Sequence, residues 1–119
     1  MATKNLTTED FMQTIDDNEI VLVDFWADWC GPCKRFAPVY EKASEEHTDI
    51  VFGKVDTEAE QELAANFQIT AIPTLMAFRQ GIMLFNQAGA MNGSSLKSLI
   101  AQIRELDMEE VKAQAKPLA

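Results

Sequence analysis

The sequence predicts a layered α/β domain, a mixed central β-sheet with helices on both of its faces. Strands alternate with helical patterns through the first half of the chain, and a hairpin followed by a helix makes up the second half. An alternation of this kind favours a sheet with both parallel and antiparallel neighbours. With 119 residues, the chain is long enough for one domain with a core of its own.

The first helix and the first strand of the pattern lie next to each other. Thr7–Asp10 combines a hydroxyl cap with early carboxylates and predicts a helix start ahead of Phe11 and Ile15. Asp16–Asn18 ends that helix. The following segment, Glu19–Ala27, is almost continuously apolar, which predicts a strand buried on both faces in the middle of the sheet.

A helix, a strand and a shorter helix follow in the middle of the chain. The apolar spacing predicts a helix from about Gly31 to His47, with a kink at Pro38 because proline removes a donor and clashes with the preceding turn. Ile50–Asp56 is predicted to be a second, mostly apolar strand, and Glu58–Phe67 a short helix.

The second half begins with a hairpin signal. Thr74–Phe78 and Ile82–Phe85 flank a turn that contains Gly81. An apolar stripe between Leu96 and Ile103 then predicts an amphipathic helix. We therefore expect one domain over residues 1–106 and a C-terminal extension over residues 107–119 that is either helical or disordered.

Charge and hydropathy exclude some classes of function. The formal net charge is −9, whereas phosphate-backbone binding needs a basic face, so no nucleic-acid partner is expected. No run approaches 18 apolar residues, and none therefore predicts a membrane span. Because Met1–Thr7 lacks the apolar core of a signal peptide, a cytoplasmic location is the expectation.

The two cysteines of the chain lie three positions apart in Trp29–Cys33, of sequence WCGPC. They follow a strand and begin a helix, where backbone N–H groups and the helix dipole favour a thiolate at Cys30. A thiolate with a second thiol in the same turn forms a reversible dithiol/disulfide couple, with Cys30 as the candidate nucleophile and Cys33 as the resolving thiol. The alternatives are half of a zinc site, for which only His47 remains as a usual further donor, and a pair of inert buried thiols.

Asp24 is a carboxylate in the middle of an apolar strand. Burial there would raise its pKa toward neutrality, as suits a general acid or base. The alternative is an edge-facing carboxylate in contact with water. The residues alone leave both interpretations open.

Four sequence blocks together resemble the thioredoxin family. They are Val23–Ala27, Trp29–Lys34, Ala71–Thr74 and Ala88–Ala90, and they occur in the family's order and at about its separations. The resemblance extends from about Leu6 to Leu106. It implies the thioredoxin fold and a protein-disulfide reductase that reduces substrates by dithiol-disulfide exchange. A Gly-Pro pair between the cysteines is typical of the reductants among these proteins.

The resemblance also implies roles for single residues. Asp24 would handle the proton of the Cys33 thiol, and Lys54 matches its usual lysine neighbour. The Ile72–Pro73 bond would be cis, whereas the residues alone are equally compatible with a trans proline at a loop end. A flat, mostly apolar docking face would surround the reactive sulfur, formed by Trp29, Gly31, Pro32, Ile72, Pro73, Ala88 and Gly89.

By the same resemblance, the expected partners are thioredoxin reductase and disulfide-containing proteins. Electrons would come from NADPH through that flavin enzyme, no cofactor or metal would be bound, and the chain would be a monomer. Two alternatives remain open at this point, a disulfide oxidase or isomerase on the same fold and a binding or chaperone subunit that does not use redox chemistry. Arg35 departs from the family pattern, which often has an apolar residue there.

Overall fold

The computed structural model describes residues 2–114 and contains a five-stranded sheet with five helices. In chain order the elements are β1 (Thr3–Asn5), α1 (Phe11–Asp17), β2 (Ile20–Trp26), α2 (Gly31–Glu46), β3 (Val51–Asp56), α3 (Gln61–Asn66), β4 (Thr74–Arg79), β5 (Ile82–Ala88), α4 (Gly93–Glu105) and α5 (Met108–Gln114).

The strands are arranged in the order β1-β3-β2-β4-β5. β3 is parallel to both β1 and β2, whereas β4 is antiparallel to β2 and to β5. The sheet is therefore mixed, as predicted, and β2 is flanked by strands on both sides. Every residue of β2 from Ile20 to Phe25 is buried, which confirms the prediction from its continuous apolar character.

Alternate side chains of β2 lie on opposite faces of the sheet, and each face has its own core. Leu22 packs in one core with residues of α2 and α4, such as Phe36 and Ile100. Val23 packs in the other with residues of α1 and α3, such as Phe11 and Leu63. The helices thus cover both faces, and the layered α/β prediction is confirmed.

The capping residues predicted for the first helix are confirmed, and they lie in the turn before the regular helix. The Thr7 N–H donates to Asp10 Oδ1 at 2.8 Å, and the Asp10 N–H donates to Thr7 Oγ1 at 3.3 Å, so the two residues cap each other one turn before the regular helix begins at Phe11. The predicted helix over Glu58–Phe67 is shorter in the structure, because only Gln61–Asn66 is helical.

β1 is absent from the sequence-based prediction. Its three residues are polar and largely exposed, and they pair with β3 at the edge of the sheet, so no apolar periodicity marks them as a strand. Tertiary pairing with Phe52–Lys54 creates this element.

The C-terminal part of the described chain is helical. α5 follows α4 after two residues and buries Met108. Residues 115–119 of the predicted extension lie outside the described residues. None of the helices in the described part of the chain combines the length and the apolar character that crossing a bilayer requires.

Candidate active site

The two cysteines form a disulfide at the start of α2. Cys30 is the N-cap residue of the helix, in an extended conformation, and Cys33 lies in the first turn, with 5.2 Å between the two Cα atoms. The Cys33 N–H donates to Cys30 Sγ at 3.2 Å. Pro32 lies in the first turn of the helix, where a backbone N–H would have no partner within the helix, so the lack of this group in proline costs no hydrogen bond. The helix therefore begins at the Gly-Pro pair between the cysteines, and the sulfur of Cys30 lies at its N-terminus.

Asp24 is buried, with 1% of its surface exposed, so the alternative of an edge-facing carboxylate is wrong. It is the register partner of Lys54 in β3 and of Leu75 in β4. Burial raises the pKa of Asp24 from 3.8 to about 7, and the positive charge of Lys54 opposes that rise. Oδ1 of Asp24 has no hydrogen-bond partner within the described residues, which leaves this oxygen available for a proton.

A cavity of about 110 Å³ connects Asp24 with the second cysteine. Cys33, Lys54 and Trp26 also line it. The Lys54 ammonium lies 4.9 Å from the centre of the Trp26 ring, and Trp26 Nε1 has no hydrogen-bond partner in the part of the chain that the structure describes. Ala37 reaches the same cavity one turn after Cys33, a position that helical spacing from Cys33 could have indicated.

The Ile72–Pro73 peptide bond is cis, as predicted. The carbonyl oxygen of Ile72 lies 3.6 Å from Cys30 Sγ, so this segment contacts the first cysteine although 42 positions separate the two residues. The Gly89 N–H donates to the carbonyl of Pro73 at 2.8 Å, and Ala88 pairs with Thr74 across β4 and β5. These contacts bring Ile72, Pro73, Ala88 and Gly89 to one side of the disulfide.

Trp29 lies on the surface beside the motif, with 69% of its surface exposed. Its Nε1–H donates to Glu58 Oε1 at 3.0 Å. Trp29 and Ile72 together line a second cavity of about 170 Å³. Glu58 is predicted to lie at the start of a helix, and the structure corrects this, because Glu58 precedes α3 and accepts the hydrogen bond from Trp29. No local signal could have identified it, since 29 positions separate the two residues.

The structure thus arranges the predicted site residues in two groups around the disulfide. Below the sulfurs, in the cavity, lie Asp24 and Lys54. Toward the surface lie Trp29, Gly31, Pro32, Ala88 and Gly89, all exposed, together with the partly buried Ile72 and with Pro73, which is itself buried. Within residues 2–114, no three His, Cys, Asp or Glu side chains come close enough together to hold a metal ion.

A family model, a related sequence and a solved structure all match this chain to thioredoxins. A family model described as Thioredoxin matches residues 2–102. The chain is 58% identical over 111 residues to putative thioredoxin 2 of Streptomyces coelicolor, which covers 93% of this chain and 83% of that relative. A solved thioredoxin structure from Plasmodium falciparum superposes with a TM-score of 0.78 at 42% identity, over 84% of this chain and 98% of that one.

A third relative is a fusion protein. The bifunctional thioredoxin reductase/thioredoxin of Mycobacterium leprae is 41% identical over 87 residues, which cover 72% of this chain and 19% of that protein.

Proposed function

The chain belongs to the thioredoxin family and is a thiol-disulfide oxidoreductase with protein-disulfide reductase activity, and we propose that Cys30 is its nucleophile and Cys33 its resolving thiol. One observation carries this assignment. Cys30 caps the N-terminus of α2, whereas Cys33 lies one turn further on and lines the cavity of the buried Asp24. The two sulfurs therefore have different environments, one suited to attack and the other to proton loss.

In the first step the Cys30 thiolate attacks a substrate disulfide. A bond forms between Cys30 Sγ and one substrate sulfur, and the other substrate sulfur leaves as a thiolate and takes up a proton. The Cys33 N–H, 3.2 Å from Cys30 Sγ, and the positive end of the α2 dipole stabilise negative charge on that sulfur.

In the second step Cys33 resolves the mixed disulfide. The Asp24 carboxylate takes the proton of the Cys33 thiol, and the Cys33 thiolate attacks Cys30 Sγ, which releases the remaining substrate sulfur as a thiolate. Two electrons have then passed from the dithiol to the substrate. A pKa of about 7 lets Asp24 exchange this proton near neutral pH. Lys54, its register partner, limits the rise of that pKa.

The surface group around the disulfide is proposed as the docking face for protein substrates. It is mostly apolar and has no side chain at Gly31 and Gly89, so a substrate backbone can approach closely. The carbonyl of Ile72, next to Cys30 Sγ, is positioned to pair with an extended substrate segment.

Thioredoxin reductase is the proposed electron donor, with NADPH as the source and a flavin in that partner rather than in this chain. The fused reductase and thioredoxin of Mycobacterium leprae supports the pairing. We further propose that the chain acts as a monomer in the cytoplasm, a compartment in which disulfides are kept reduced. Nucleic acid is not a proposed partner, because the net charge of −9 opposes binding to a phosphate backbone, and no membrane partner is proposed.

The reduction potential of the Cys30–Cys33 couple tests the direction of the reaction. The protein is equilibrated with defined dithiol buffers, and alkylated thiols are counted by mass. We expect a value near about −270 mV, the general figure for thioredoxins. A value between about −180 and −120 mV would instead indicate an isomerase or oxidase.

Trapping tests the assignment of the two thiols. A Cys33→Ser variant is expected to accumulate a mixed disulfide with a model disulfide protein, because the resolving thiol is missing. A matched Cys30→Ser variant should form none. The assignment is wrong if Cys30→Ser forms the adduct and Cys33→Ser does not.

A further inference from the structure

Arg35 differs from the other two arginines of the chain because it has no partner among residues 2–114. Arg79 pairs with Glu19 at 3.0 Å and donates to the carbonyl of Ile103, and Arg104 pairs with Asp49 at 2.7 Å. Those two cations join separate elements of the fold. Arg35 is exposed and makes no hydrogen bond or ion pair with any of residues 2–114.

The guanidinium of Arg35 lies against the cysteine motif. Its Nη1 atom is 3.6 Å from the position that a Cβ on Gly31 would occupy. Helical side chains lean toward the N-terminus of the helix and cover the residue four positions earlier, which places the charge at Gly31, the residue that follows Cys30. This end of the helix carries the positive pole of the dipole, so the helix itself does not attract the cation there.

The surrounding charges make this position distinctive. The chain as a whole is strongly acidic, with a net charge of −9, and therefore repels acidic partners at long range. Acidic residues also lie beside Trp29, namely Asp28 in sequence and Glu58 by its hydrogen bond. At Gly31 the local charge is positive instead, because the Arg35 guanidinium lies there, and Lys34 adds a second exposed cation in the same turn.

We propose that Arg35 is a specificity-determining residue that binds a carboxylate of the substrate protein close to the disulfide attacked by Cys30. The inference rests on the proposed function and refines it. A guanidinium presents a planar set of donors that fits a carboxylate in two parallel hydrogen bonds. Such a contact at the rim of the docking face selects among substrates and speeds their encounter, and it leaves the exchange chemistry to the two cysteines.

The test uses the prereduced protein and three disulfide peptides that differ only in the residue next to the attacked cysteine, which is Asp, Asn or Lys. The second-order rate constant for oxidation of the protein is measured with each peptide. We expect the Asp peptide to react about three- to tenfold faster than the Lys peptide at low ionic strength. The ratio should shrink with added salt.

Variants at position 35 then identify the side chain responsible. Arg35→Gln should abolish the preference for the Asp peptide, Arg35→Glu should reverse it, and Arg35→Lys should keep its direction with a smaller ratio. The matched control is Lys42→Gln, which removes the same charge from α2 about 10 Å further along the helix axis than Arg35. It should keep the ratio of the unmodified protein.

Three results would overturn the inference. They are an unchanged ratio in Arg35→Gln, an equal change in Lys42→Gln, and a uniform loss of rate with all three peptides, which would mean that Arg35 acts on Cys30 itself. The failure of the proposed function looks different, because the unmodified protein would then reduce none of the peptides.

Discussion

At the scale of single residues, the proposed chemistry of this protein depends on a carboxylate in a position where carboxylates are rarely found. Asp24 lies in the middle of β2, almost fully buried, with one oxygen that has no hydrogen-bond partner in the described part of the chain. An ionised carboxylate in such a place is unfavourable, and the group responds by keeping its proton up to about pH 7. The residue and the Cys33 thiol line one cavity, so a proton has a short path between them.

Replacement of Asp24 by Asn tests this path. Asn has nearly the same shape but takes no proton, so we expect resolution of the mixed disulfide by Cys33 to slow by about tenfold or more above pH 7. With Asp24 present, the rate should rise as pH increases through about 7, where the carboxylate becomes ionised. The measurement is a single-turnover rate between about pH 6 and pH 9. Equal rates in both proteins across that range would contradict the role of Asp24.

At the scale of elements, α2 is tied to the sheet directly behind the active site. The hydroxyl of Tyr40, the only tyrosine of the chain, donates to the carbonyl of Gly53 at 2.8 Å. Tyr40 is fully buried, and burial, together with the nearby charge of Asp24, raises its pKa well above the ordinary value. On the opposite face of the sheet, the side chain of Leu6 occupies the space where a Cβ of Gly53 would lie. The strand is therefore held from both sides at the residue that precedes Lys54.

A Tyr40→Phe variant removes this link without changing the packed volume. The expected result is a loss of about 1 kcal/mol in the free energy of unfolding, the usual net contribution of one intramolecular hydrogen bond. Chemical denaturation followed by tryptophan fluorescence measures it. A Gly53→Ala variant should be destabilised more, because its Cβ clashes with Leu6. If both variants are as stable as the unmodified protein, the contacts of Gly53 with Tyr40 and Leu6 contribute nothing to the stability of the fold.

At the scale of the whole molecule, the buried Asp24 makes stability depend on pH. In the unfolded chain this carboxyl loses its proton near 3.8, whereas in the folded protein it does so at about 7. Between these values the folded state binds the additional proton. The contribution of Asp24 to stability therefore falls as pH rises from 3.8 to about 7, and it levels off above that range.

An Asp24→Asn variant should lack this decline. At pH 8 we expect it to be more stable than the unmodified protein by up to about 4 kcal/mol, since each pKa unit is worth about 1.4 kcal/mol. Denaturation curves between about pH 4 and pH 8 measure the effect. Asp49→Asn is the matched control, because the hydrogen bond from Arg104 lowers the pKa of Asp49 to about 2, outside that range. If the free energy of unfolding of Asp24→Asn falls with pH as it does in the unmodified protein, another group causes the decline.

The order of most elements, the mixed sheet and the cysteine pair at a helix start could be predicted from the sequence, since they follow from apolar periodicity and from turn and cap residues within a few positions of each other. Three further features could be seen only in the folded structure. It buried Asp24 rather than leaving it at an edge, it created β1 by pairing three polar residues with β3, and it joined Trp29 to Glu58. Each of these features depends on contacts between residues far apart in the chain. Such contacts stabilise the protein only once the whole sheet has assembled, so no local sequence pattern indicates them.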